Sequence, residues 1–370
     1  MDLSSEIIHA LLPLFLTGTL GVSVLMVGLI DGVAESTASI TKVFSGYLSD
    51  RFGRRKPLIL IGYGVGAVSK LFFPLANTAG VIFGARFADR VGKGLRGAPR
   101  DALVADVTPA VVRGRAFGLR QSLDTTGAFL GPLLAIGLMF AFANDIRMVF
   151  MIAIIPAAIA VLLIIFGVED RKPSDGSAVV RLPVQLADLK RLKPAFWSVV
   201  AIGVIFTLAR FSEAFLILKA SDEGLPLAFA PLVLVVMNLI YAFGAYPAGV
   251  LSDKIAAKYL LLCGLVCLVI ADLALAFLPG ISGAFVGIAL WGAHMALTQG
   301  LMAKLVADHA PDELRGSAFG IFNLATGLAL LLASAVAGVL WSYFGPSATF
   351  IAGACFATLA CGLLAFKSKS

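Results

Sequence analysis

Apolar residues run along this chain in blocks, each closed by a short polar or basic connection, and seldom alternate with polar residues one by one. A helix crossing the hydrocarbon layer of a membrane needs about 20 mostly apolar residues. Twelve segments meet that requirement, at roughly 3–20, 23–48, 57–76, 79–105, 115–142, 146–167, 195–218, 226–251, 258–278, 282–305, 315–341 and 346–366. Most exceed the length of a buried helix in a soluble protein, and no run of about ten alternating residues suggests a barrel. The pattern predicts an all-α membrane protein with 12 transmembrane helices.

Composition agrees. Of 370 residues, 59% are hydrophobic and 14% charged, and the mean hydropathy is +0.97. A soluble domain of that composition could not cover its apolar surface, so the lipid bilayer is the expected surrounding. The net charge of +7 would suggest nucleic acid in a soluble protein, but its distribution argues for topology instead. Arg51, Arg54, Arg55 and Lys56 follow the second segment, Arg113 and Arg115 the fourth, and Lys254 and Lys258 the eighth. Six further Lys and Arg residues lie between the sixth and seventh segments, and Lys367 and Lys369 end the chain. The alternate connections hold only Arg147 and Lys219. Basic residues are retained on the cytoplasmic side, which puts both termini there, in a bacterial inner or plasma membrane, and leaves no call for a nucleic-acid partner. A cleaved signal peptide is not expected, because no Lys or Arg precedes Lys42. The four cysteines sit inside apolar segments as small core residues, without metal or disulfide spacing.

The chain repeats itself. "ALVADVTPAVVRGRAFGL" (102–119) returns as "KLVADHAPDELRGSAFGI" (304–321), "SGYLSDRFGRRKPLIL" (45–60) as "AGVLSDKIAAKYLLL" (248–262), and "SSEII" (4–8) as "FSEAF" (211–215). Three matches in one order divide the chain into two pseudo-symmetric six-helix bundles, 1–167 and 194–370, joined by a cytoplasmic linker at 168–193. Duplication of this kind marks transporters whose halves rock about a central site near the midplane.

"GYLSDRFGRRKP" (46–57) resembles the motif between helices 2 and 3 of the major facilitator superfamily, and helix count, charge topology and repeat extend the resemblance over the whole chain. Physically, Gly46 lets helices approach closely, and Asp50 can face the positive N-terminal end of a neighbouring helix. The resemblance implies alternating access, with Asp50 and Arg51 latching the two halves on the cytoplasmic side. Gly46, Gly53, Arg54 and Arg55 complete that gating set, with Asp106 and Arg113 as partners. "GAFLGPLLA" (127–135) in the fifth segment resembles the family's antiporter motif through Gly127, Gly131 and Pro132, but Leu134 and Ala135 replace its usual glycine pair. Close packing of two helices by small residues explains the same residues.

The fourth segment carries the chemistry. "ARFADRVGKGLRGAPRDALVAD" (85–106) aligns with the largely apolar "GIALWGAHMALTQGLMAKLVAD" (287–308), so it is expected to be a helix and not a loop. Taking Arg86 as the origin and about 100° per residue, Arg90 lies near about +40°, Lys93 near about −20° and Arg100 near about −40°. A Lys, Arg or Asp at the centre of a spanning helix is unfavourable by about 2.5–3.5 kcal/mol, so this face must turn into the bundle or a wet cavity. Arg86, Arg90, Lys93 and Arg100 align with Ile288, Gly292, Met295 and Met302, so the scaffold does not require these charges. Arg86, Arg90 and Lys93 are candidate substrate ligands, with Arg210 and His294, although a lone histidine of this kind is more often packed or hydrogen-bonded than a proton relay. The family's central cavity is lined by helices 1, 4, 7 and 10, where these residues fall.

Carboxylates that face cations in a low-dielectric site can exchange protons as the cavity opens. Glu6, Asp31, Glu35, Asp124 and Glu213 are the candidates, Glu213 being the repeat counterpart of Glu6. Static ion pairs that hold helices together account for the same acids. The expected function is secondary transport, proton-coupled, of a small organic anion or anionic chelate by a monomer; the alternative is a proton-driven exporter of drugs or other amphipathic compounds. An enzyme is not expected, since three His and four Cys supply neither a metal set nor an activated nucleophile. No cofactor is implied, and no phosphate-binding loop points to ATP. By repeat symmetry the first segment is about a dozen residues short, which places Met1 near mid-membrane and favours a start further upstream.

Overall fold

The computed structural model describes residues 1–52, 55–109, 113–169, 191–252, 254–310 and 314–366, and these contain helices and no strand. In chain order they are α1 (Asp2–Leu14), α2 (Val24–Phe52), α3 (Lys56–Lys70), α4 (Ala79–Val107), α5 (Arg113–Ala141) and α6 (Ile146–Gly167). After the linker come α7 (Pro194–Leu208), α8 (Ala214–Asp222), α9 (Leu232–Ser252), α10 (Ala257–Phe277), α11 (Gly280–His309), α12 (Arg315–Phe344) and α13 (Pro346–Phe366). Each predicted segment is helical, and the seventh is divided between α7 and α8. Helix starts carry the expected signals: Thr78 accepts from the Val81 N–H ahead of α4, Asp145 accepts from Arg147 and Met148 ahead of α6, and Pro194 opens α7.

Among the described residues, nine helices are long and apolar enough to cross a membrane by length and composition. The other three segments fail for separate physical reasons. The first passes from α1 into a π-helical turn at Phe15–Thr19, α4 carries too many charges, and α7 stops short at Leu208. The chain is an integral, multi-pass membrane protein.

The helices pack as two compact units, Met1–His9 with Val33–Gln185, and Ala10–Gly32 with Leu186–Ser370. In the first, α3 and α4 meet along glycines: a Cβ on Gly62 would lie 2.8 Å from the Arg96 nitrogen, and one on Gly92 would lie 2.6 Å from the Gly62 carbonyl. Gly131 of α5 is pressed against Glu6 of α1, where an added Cβ would come within 2.6 Å of that side chain.

In the second unit, α10 and α11 repeat the α3–α4 contact. Gly264 meets Thr298 as Gly62 meets Arg96, and His294 reaches the Gly264 carbonyl as Gly92 reaches that of Gly62. The start of α2 belongs here too. Leu25 N–H donates to Ser342 Oγ at 3.2 Å, and Gly28 and Gly32 lie against Ser334 of α12. The core of this unit is aromatic, with Phe211 within 5.5 Å, centroid to centroid, of Phe215, Trp291 and Phe350.

Candidate functional site

The charges of α4 lie inside the first unit as a connected network. Arg86 and Arg90 are almost fully buried and share one carboxylate, Glu35 of α2, at 3.6 and 3.0 Å. Arg86 also donates to His9 Nδ1 at 2.7 Å. Behind them, Lys70 of α3 pairs with Asp89 at 2.6 Å, and Asp89 reaches Arg90 at 3.4 Å. Further along α4, Arg96 pairs with Asp2 at 3.3 Å and lies over the Tyr63 ring at 4.9 Å. One turn on, Arg100 and Arg120 bracket Asp124 at 3.1 and 3.5 Å, and Arg120 also binds Asp101 at 2.7 Å. Every buried cation of α4 therefore has a carboxylate partner, as the desolvation of an ion demands.

Lys93 differs from its neighbours. It lies in the middle of the same helix face, yet it is exposed, and Glu35 is a third exposed. Beside the buried Arg86 and Arg90, Glu35 is the accessible partner, while Asp2, Asp101 and Asp124 are also partly exposed further along the network. Glu6 is half-buried against α5 and makes no ion pair among the described residues. The repeat partners of the α4 cations are apolar and enclosed, with Ile288, Gly292, Met295 and Met302 all buried in the second unit.

In that unit the chain leaves the helix between α7 and α8, across Ala209–Glu213. Such a break inside a spanning segment is tolerated only where other groups take up the freed backbone. Ser334 Oγ accepts from the Ser212 N–H at 3.3 Å, Ser212 Oγ accepts from the Ala214 N–H at 3.1 Å, and the Ser212 hydroxyl donates to Asp31. Asp31, Ser212 and Ser334 are all buried. Arg210 and Glu213 lie within the break, both half-buried. His294 is fully buried, donates from Nδ1 to Gly264 at 2.8 Å and stacks on Phe206 with centroids 5.1 Å apart.

Of the gating residues, Arg55 donates to Ser49 at 2.6 Å. Gly53 and Arg54 lie outside the described residues, as do the side chains of Gly46, Asp50, Arg51, Asp106 and Arg113. Among the described residues no group of three or more His, Cys, Asp or Glu could hold a metal ion. Lys70 and His9 were not among the candidate site residues, yet Lys70 pairs with Asp89 and His9 meets Arg86. Their signal was the α4 pattern itself, since Asp89 on its edge called for a cation from a neighbouring helix. Asp272 of α10 was passed over altogether; an acid in mid-segment was the sign.

Nine membrane-spanning helices among the described residues, an internal repeat, a charged fourth segment and a broken seventh are the features of a membrane transporter. The family model of the Major Facilitator Superfamily matches residues 1–240 and 214–369, and the chain belongs to that family. An uncharacterized MFS-type transporter of Methanocaldococcus jannaschii is 32% identical over 373 residues, covering 99% of this chain and 91% of the relative. The multidrug resistance protein MdtH of an Enterobacter species is 26% identical over 348 residues, covering 91% of this chain and 82% of the relative. Among solved structures, the nucleoside transporter NupG superposes with a TM-score of 0.81 at 13% identity, covering 100% of this chain and 96% of that one, a likeness of fold. The chain is a transporter and not an enzyme.

Proposed function

We propose that this transporter moves a small organic anion or anionic chelate, coupled to protons, by alternating access of the bundles 1–167 and 194–370 about the linker 168–193. Lys93 carries the reading. It is the exposed cation on a face whose buried cations are already paired, so it offers an incoming anion a charge that no carboxylate of the network holds by a short contact. Glu35, a third exposed and bridging Arg86 and Arg90, is the acid placed to trade its pairing for a proton when solute enters. The basic connections support an inner-membrane location with both termini cytoplasmic. The protein acts as a monomer, since the repeat supplies both halves of the site.

A second reading, proton-driven efflux of amphipathic compounds by antiport, draws on the relatives named multidrug resistance proteins and on Gly127 and Gly131, which bring α5 against α1. A thermal-shift screen of the purified protein with organic anions, chelates and lipophilic cations separates the two. Anions should raise the unfolding midpoint, and Lys93→Gln should abolish that rise with the unliganded midpoint unchanged. Stabilisation by cations alone would overturn the first reading in favour of efflux.

A further inference from the structure

Asp272 lies in α10 with no solvent exposure, and neither carboxyl oxygen has a hydrogen-bond partner among the described residues. The internal repeat makes this unusual. The contacts of Gly62 with Arg96 and of Gly264 with Thr298 fix the register between α3–α4 and α10–α11. In that register Asp272 stands where the first unit has Lys70, and Trp291 stands where it has Asp89. The first unit thus closes this level with a 2.6 Å ion pair, while in the second an acid stands in place of the lysine and an indole in place of the acid, so no counter-charge comes from this position. The Trp291 N–H is also buried and without a partner among the described residues.

We propose that Asp272 is a proton-binding site within the C-terminal unit, occupied in the conformation described here. An isolated carboxylate in apolar surroundings is unfavourable by several kcal/mol, and a bound proton removes that penalty. A larger cation is excluded by space and by ligands. A Cβ on Gly353 would lie 2.6 Å from Asp272 Oδ2 and 3.2 Å from the Phe211 ring, so the packing is already close, and hard metal cations require several oxygen ligands. The ionisable groups on the surrounding elements include His294 and His309 on α11, Tyr241 and Tyr246 on α9, Cys355 and Cys361 on α13, and Arg210 and Glu213 on either side of Phe211. None of them bonds to the carboxyl, and His294 spends its Nδ1–H on Gly264. Phe211, which reaches Gly353 beside the acid, belongs to the break between α7 and α8. Movement at that break opens or closes the surroundings of Asp272, and the proton leaves to water when they open. This deepens the proton-coupled reading by naming a site for the ion, but it does not depend on the identity of the solute.

Infrared spectroscopy of the purified full chain in lipid, with no solute added, tests it. At neutral pH the wild type should show the carbonyl stretch of a protonated carboxyl that Asp272→Asn lacks. The band should vanish reversibly in alkali while the protein stays folded, and Asp272→Glu should shift it, which covers the case of an unstable Asn variant. An unchanged band in either variant, or a band that persists until alkaline unfolding, would overturn the proposal. Because Lys93 and the solute play no part, failure of the anion reading leaves this result standing, and the reverse also holds.

Discussion

The pairing of Lys70 with Asp89 shows what a single buried charge demands. Both side chains are nearly inaccessible, and among the described residues the ammonium bonds to the carboxylate and, at 3.4 Å, to the Gly66 carbonyl. Removing one partner of a buried pair typically destabilises by about 3–5 kcal/mol, because the other remains desolvated, whereas replacing both by apolar groups is often nearly neutral. Asp89→Asn should therefore lower the thermal unfolding midpoint strongly, and adding Lys70→Met should recover most of the loss. A double variant no more stable than the single one would show that Asp89 acts mainly through Arg90, its other neighbour at 3.4 Å. Sequence alone put Arg86, Arg90 and Lys93 on one face but left them equivalent. Burial separates them, because Glu35 from α2 reaches the first two and Lys93 stays exposed.

At the level of elements, α3 and α4 meet where glycine leaves room for backbone, and that contact is what tolerates so polar a helix in the membrane. Gly92→Ala should push the two helices apart, since its Cβ would lie 2.6 Å from one backbone oxygen and 2.9 Å from the Gly66 nitrogen. Overpacking of this kind is unfavourable by about 1–3 kcal/mol. Gly64→Ala on the same helix pair meets nothing within 4 Å and should leave the unfolding midpoint in place. Equal effects from both would mean that helix propensity, not contact, sets the outcome. The helices themselves were legible in the sequence, because length and hydropathy are enough for a spanning segment. The break in the seventh was not. The α7 sequence is apolar throughout, and the opening at Ala209–Glu213 is held by Asp31, Ser212 and Ser334, residues far apart in the chain. Asp272 escaped notice for a related reason: a lone acid becomes conspicuous only when its surroundings are known to lack a counter-charge.

Across the whole molecule, one ancestral arrangement has been filled with two kinds of core. The first unit is held in part by carboxylates matched to cations, and the second by an aromatic cluster around Phe211, Trp291 and Phe350. Acid separates them. As pH falls below the ordinary carboxylate range of about 3.9–4.3, the unfolded chain takes up protons that paired carboxylates resist, and the stabilising contribution of the ion pairs around α4 is progressively lost. Lys70, Arg86, Arg90 and Arg96 depend on those counter-charges for their burial, whereas the contacts of Phe211 with Phe215, Trp291 and Phe350 involve no titrating group. Hydrogen–deuterium exchange followed down a pH series, corrected for the intrinsic rate, should show α3 and α4 losing protection before α10 and α11. Opening in the reverse order, or of all four helices together, would mean that the ion pairs are not what holds the first unit. On the reading proposed above, the halves divide the labour of transport: a network of matched charges offers a solute something to compete for, while a dry aromatic core isolates one acid and makes its proton conditional on the helix break beside it.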